Sequence, residues 1–125
     1  MFIRRSITDV LMRRAKNSRC LLLTGPRQVG KSTLLKHNYP GVKYYTFDDQ
    51  VLLASATEDP KLFLKNIPKP SILDEVQYAK DLFPYIKIEC DKDERYENYY
   101  LTGSQQMKLM AKAKESLAGR VSILE

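Results

Sequence analysis

The run Gly25-Pro26-Arg27-Gln28-Val29-Gly30-Lys31-Ser32 satisfies the pattern G-x-x-x-x-G-K-[ST] at every fixed position, directly after the apolar stretch Cys20-Leu21-Leu22-Leu23. Strand, glycine-rich loop and helix in that order is a narrow requirement. It commits the chain to an architecture in which a buried strand feeds a loop into a helix N-terminus. The ligand explains the residue types. Backbone N–H groups must converge on phosphate oxygens, and Gly25 and Gly30 permit the angles and close approach this needs. The following helix offers its unpaired N–H groups and the positive end of its dipole to the same anion. Lys31 supplies a mobile charge for the outer phosphates, and the Ser32 hydroxyl a ligand for the accompanying magnesium. Pro26, Arg27, Gln28 and Val29 form the body of this Walker A loop. Thr33 extends the nucleotide-binding stretch without a distinct role.

The rest of the chain alternates in the way such a loop demands. Ile7, Val10, Leu11 and Arg14 share one face of an amphipathic helix over residues 6–16, with Arg4, Arg5 and Arg13 elsewhere. A strand over 19–24 leads into the loop, and a helix from Lys31 must stop before Tyr39-Pro40-Gly41. Residues 42–47 favour a second strand, after which Asp48-Asp49 read as caps of a helix carrying Val51, Leu52 and Ala54. Asp59-Pro60 starts another helix, with Leu62, Phe63 and Leu64. Lys69-Pro70 breaks the chain before the short strand of residues 71–75. Asp81 reads as the cap of a helix in which Phe83, Ile86, Lys87 and Cys90 share a face, and Asp91 to Glu97 as a charged turn. Residues 98–102 form a fourth strand, 105–118 a helix with Met107, Met110 and Leu117, and 121–124 a final apolar run. Strands and helices in alternation predict an α/β fold, a parallel sheet with helices on both faces. Right-handed crossovers then bring the strand ends and the phosphate loop to one edge.

A chain of 125 residues is one domain. Its net charge of +6 leaves nucleic acid as a weakly supported partner, because the basic residues are scattered among acidic ones. Cys20 and Cys90 lack metal or redox spacing and read as reduced buried thiols, and the single histidine, His37, reads as a surface residue. No apolar stretch approaches a membrane span and Met1 to Arg5 lack a signal-peptide core, so a cytoplasmic protein is expected.

Three further constellations bear on chemistry. Ile72-Leu73-Asp74-Glu75 is an apolar strand end followed by adjacent acids, the Walker B arrangement. Asp74 suits holding magnesium, and Glu75 suits polarising the water that attacks the γ-phosphate. At Leu101-Thr102-Gly103-Ser104, Ser104, and after it Thr102, is placed to bond the γ-phosphate or the water; a plain polar turn into the next helix is the competing reading. At Gly119-Arg120, an arginine at a helix end is either a transition-state clamp for a neighbouring subunit or a solvated residue after a glycine stop.

Gly25 to Ser32, Leu73-Asp74-Glu75-Val76-Gln77, Leu101-Thr102-Gly103-Ser104 and Glu115-Ser116-Leu117-Ala118-Gly119-Arg120 together resemble the AAA-type ATPase domain of a family of archaeal and bacterial ATP-binding proteins that carry a C-terminal domain of unknown function. The resemblance implies a P-loop NTPase three-layer sandwich with strand order 5-1-4-3-2. It assigns Lys31 and Ser32 to phosphate and magnesium, Asp74 and Glu75 to the acidic pair, Ser104 to γ-phosphate sensing and Arg120 to an arginine finger that makes a homo-oligomer. ATP, rather than another nucleotide, is implied by the resemblance alone. On this reading residues 1–125 are the ATPase core, ending after the fifth strand, with the helical lid and the C-terminal domain outside it. The expected function is Mg-ATP binding and hydrolysis. A non-catalytic nucleotide-binding fragment is the alternative, and a P-loop small-molecule kinase a more distant one, because Asp74-Glu75 suits a hydrolytic water better than an acceptor hydroxyl. The client is not specified by the sequence.

Overall fold

The computed structural model describes residues 2–25, 30–92, 96–104 and 106–124, with side chains in the first helix from residue 9 onward. Five strands form one parallel sheet: β1 (Cys20–Thr24), β2 (Lys43–Thr46), β3 (Ser71–Asp74), β4 (Tyr99–Gly103) and β5 (Val121–Leu124). Their order is β2-β3-β4-β1-β5, the expected order counted from the other edge. β1, β3 and β4 are fully buried, as the inner strands of a two-sided parallel sheet must be.

Side-chain alternation divides the core. Leu21, Leu23, Ile72 and Tyr100 point to one face, where Leu11 and Ala15 of α1 (Phe2–Lys16) and Leu35 of α2 (Lys31–Asn38) cover them. Cys20, Leu22, Leu73, Tyr99 and Leu101 point to the other. There they meet α3 (Gln50–Glu58), α4 (Pro60–Lys65), a 3-10 segment (Val76–Leu82), α5 (Phe83–Lys92) and α6 (Met107–Ser116). The three-layer sandwich is therefore as expected.

Local details differ. α1 starts at Phe2 rather than near Ser6. Asp49 caps α3, accepting from the N–H groups of Val51 and Leu52, and Asp59 caps α4, accepting from Leu62 with Pro60 in the first turn. Asp81 lies in a second short 3-10 turn, past a break at Ala79 (φ −132°, ψ 47°), instead of capping α5. In α5 the buried face is Phe83, Ile86 and Cys90, and Lys87 is exposed. In α6 the buried stripe is Leu109 and Ala113, continued by Leu117, while Met107 is 88% exposed. Leu109 of that stripe packs closely on Gly103, where a Cβ would lie 2.6 Å from Leu109 Cδ2.

Candidate nucleotide-binding site

All strands run the same way, so the exits of β1, β2, β3 and β4 share one edge. Thr24 pairs with Gly103, Thr46 with Asp74 and Leu73 with Leu101, which brings Gly25, Asp48, Asp74 and Thr102 to a common level. At the β1 exit the phosphate loop begins with Gly25. Pro26, Arg27, Gln28 and Val29 lie outside the described residues. Gly30 ends the loop at φ 71°, a left-handed conformation glycine adopts without a Cβ penalty, and caps α2. Lys31 is 5% exposed, and its Nζ donates to the Gly25 carbonyl at 2.7 Å. The ammonium group is thus held against the loop's own backbone. Ser32 and Thr33 follow in the first turn of α2, Ser32 half-buried and Thr33 exposed.

Asp74 is held from three sides. Tyr44 Oη donates to Oδ2 at 2.7 Å, Thr46 Oγ1 to the same atom at 2.9 Å, and Thr102 Oγ1 to Oδ1 at 2.5 Å. The Tyr44 hydroxyl also stands beside the Ser32 hydroxyl. Burial, and after it the hydrogen bond to Asp74, push Tyr44 up to about 12, so it remains a donor near neutral pH. Tyr44 therefore links the two residues assigned to magnesium. Asp48 joins them: one oxygen each from Asp48, Asp74 and Glu75 lies within 4.8 Å of the others. Carboxylates and a hydroxyl are the hard oxygen donors that magnesium takes, so the residues present fit that ion. The Asp48-Asp49 pair divides its work, since Asp49 caps α3 as expected and Asp48 instead faces the carboxylates.

Glu75 leaves β3 at φ 60°, ψ 52°, a left-handed conformation that costs a non-glycine residue about 1–2 kcal/mol. Strain of this kind collects at functional positions. Its N–H donates to Thr102 Oγ1 at 3.0 Å, and its carboxylate Oε1 accepts from Gln77 Nε2 at 2.7 Å.

A family model described as an AAA domain matches residues 17–125. The chain belongs to this AAA family. Two relatives, the uncharacterized proteins Rv2008c of Mycobacterium tuberculosis and Mb2031c of Mycobacterium bovis, are each 35% identical to it over 127 residues. Each alignment takes in 100% of this chain and 29% of the relative, so the chain spans under a third of the relatives' length. The fold is accordingly that of a P-loop NTPase, and the family is one of ATPase-like nucleotide binding.

In this AAA domain Thr102 and Ser104 differ sharply. The Thr102 hydroxyl is committed to Asp74 and Glu75. The Ser104 Oγ is buried and has no hydrogen-bond partner among the described residues, while its N–H donates to Gln77 Oε1 at 3.1 Å. Arg120 stands apart from all of these. Its carbonyl accepts from Cys20 N–H, at the N-terminal ends of the strands, a strand length of about 15 Å from the phosphate edge. Its guanidinium donates from Nε to Asp91 Oδ1 at 2.8 Å and from the adjacent nitrogen to Oδ2 at 3.2 Å. Hydrogen bonding from Arg120 holds the Asp91 carboxyl below its usual range. A cavity of about 540 Å³ between α3 and α4, lined by Val51, Ala54, Leu62 and Phe63 among others, shares none of the carboxylates. Among the described residues no helix is long and apolar enough to cross a membrane.

Tyr44, Thr46 and Asp48 are the candidate site residues that sequence reasoning missed, and Gln77, in the stretch after Asp74-Glu75 that carries the resemblance, had no role assigned to it. The available signal was indirect: Tyr44 and Thr46 are two apart on β2 and so share a face. Which strand that face meets is not written in β2 itself.

Proposed function

We propose that this AAA domain binds Mg-ATP at residues 25–33 and hydrolyses its β–γ phosphoanhydride, as the ATPase core of a longer protein. One observation carries the reading: Ser32 and Asp74 meet through Tyr44, with Glu75 beside them, at the edge where the phosphate loop ends. Lys31 leaves the Gly25 carbonyl for the outer phosphates, and the N-terminus of α2 receives them. Ser32 and Asp74, with Asp48 close by, would hold a magnesium ion, which would supply charge neutralisation at the phosphate oxygens. Glu75 accepts a proton from the attacking water, and Ser104 Oγ donates to the γ-phosphate, which gives that hydroxyl its partner. Arg120 lies too far from its own phosphate loop to act there, so as a finger it serves the site of a second copy. The two cysteines, both free and buried, fit a reducing cytoplasm.

Calorimetric titration of Mg-ATP into the chain, beside a folded Lys31→Ala variant, tests the binding half. Binding that disappears in the variant is expected; equal binding by both would remove the phosphate-loop assignment. Glu75→Gln tests the chemistry: binding retained and turnover slowed is expected, and hydrolysis at the wild-type rate would remove Glu75 from its role.

A further inference from the structure

Gln77 is 8% exposed and uses both ends of its amide. Oε1 accepts from the Ser104 N–H at 3.1 Å, and Nε2 donates to Glu75 Oε1 at 2.7 Å. A backbone N–H is a donor only, so the Ser104 end must receive the amide oxygen, which leaves the NH₂ facing the carboxylate. The flipped amide would set oxygen against carboxylate and NH₂ against N–H. Gly103 makes the bridge possible: a Cβ there would lie 3.4 Å from Gln77 Oε1, 3.3 Å from Val76 Cγ2 and 2.6 Å from Leu109 Cδ2. Because the glycine offers nothing, the 3-10 segment lies directly against the β4 exit and the amide spans from β3 to β4.

We infer that Gln77 is a positioning residue that aims the Glu75 carboxylate at the attacking water and ties its orientation to Ser104. The inference rests on the hydrolytic reading above. Glu75 is anchored at its N–H by Thr102 and at one carboxylate oxygen by Gln77, so Oε2 is left for the water. A neutral amide suits this work because it orients the carboxylate without cancelling its charge, as a lysine or arginine would. The other end of the amide is fastened to Ser104, whose hydroxyl has no partner among the described residues and is the donor proposed above for the γ-phosphate. A shift of Ser104 on phosphate contact is therefore transmitted to Glu75 through one rigid amide.

The test compares Gln77→Met and Gln77→Glu, each in the wild-type and Glu75→Gln backgrounds, by calorimetric Mg-ATP affinity and single-turnover hydrolysis. Methionine keeps the volume and removes both polar ends; glutamate keeps an acceptor for Ser104 and replaces the neutral amide donor to Glu75 with a second carboxyl group. The glutamate variant maintains the test should the methionine variant fail to fold. Both are expected to lower the hydrolysis rate tenfold or more with Mg-ATP affinity within about twofold, and to have no further effect once Glu75 is glutamine. An unchanged rate, a parallel loss of affinity, or an equal loss in the Glu75→Gln background would overturn the inference. If Glu75→Gln alone hydrolyses at the wild-type rate, or the wild type does not hydrolyse ATP, the hydrolytic reading fails and this inference with it. A slow Glu75→Gln beside an unaffected Gln77→Met removes the role of Gln77 only.

Discussion

Replacing Thr102 by valine alters one atom type at a fully buried position and leaves its shape unchanged, so the hydrogen bonds can be weighed without a cavity. Two bonds are lost. Asp74 Oδ1 loses a donor at 2.5 Å and the Glu75 N–H loses its acceptor at 3.0 Å. A hydrogen bond to a charged group contributes about 1.5–3 kcal/mol, and a buried N–H without a partner costs about 1–3 kcal/mol. Asp74 keeps Tyr44 and Thr46 on its other oxygen, which puts the first loss at the low end. The added methyl favours valine, but by less than either loss. The net expectation is destabilisation by about 3 kcal/mol, a large share of the roughly 5–15 kcal/mol that holds a domain together. With a urea slope of about 1–3 kcal/mol per molar, the unfolding midpoint should fall by about 1–3 M at unchanged slope. Thr102→Ser, which keeps the hydroxyl and loses one methyl, should cost only about 1 kcal/mol. A valine variant within about 0.5 kcal/mol of wild type, or one more stable than the serine variant, would refute the view that Thr102 secures the acidic pair.

Gly103→Ala should destabilise by about 1–3 kcal/mol, read by thermal melting, because the new methyl meets Leu109 at 2.6 Å; an unchanged melt would mean that α6 yields freely. Burial pushes Cys90 up to about 11 and raises Cys20 well above its ordinary value, so iodoacetamide at pH 8 should leave both thiols unmodified until urea is added. Because the folded pKa of Cys90 exceeds its unfolded value of 9.0, its contribution to stability is present below about pH 9 and lost as pH rises toward about 11. A urea series over that range should show the loss, and Cys90→Ala should lessen its slope. Arg120→Ala should leave Mg-ATP affinity unchanged and abolish any rise in specific activity with protein concentration. Wild-type activity strictly proportional to concentration would exclude a finger acting between copies.

The elements legible in the sequence were those whose signals are local. Gly25, Gly30 and Lys31 announce the β1 exit and the start of α2, Asp59-Pro60 announces α4, and the apolar run before Asp74 announces β3. Each combines a covalent or steric preference with a neighbour a few residues away. The readings that needed correction depended on phase or on a distant partner. Met107 and Lys87 fall at helical spacing from core residues, yet which side of α6 or α5 turns inward is set by what lies across the sheet. Asp81 has the composition of a cap, but it lies within the short 3-10 turn between the break at Ala79 and α5.

The candidate site divides in the same way. The motifs proposed to grip a phosphate and to supply an acidic pair are legible in the chain alone, since each is a contiguous stretch whose spacing is imposed by the backbone. The arrangement of those motifs around one point came from sheet order and register. β3 beside both β2 and β4 sets Asp74 between Tyr44 and Thr102, and the β4 exit beside the 3-10 segment lets Gln77 reach Glu75 and Ser104 together. Hydrogen bonds across 27 to 30 residues leave no periodicity in a sequence. They exist only once parallel strands have been brought into register by burial of both faces of the sheet.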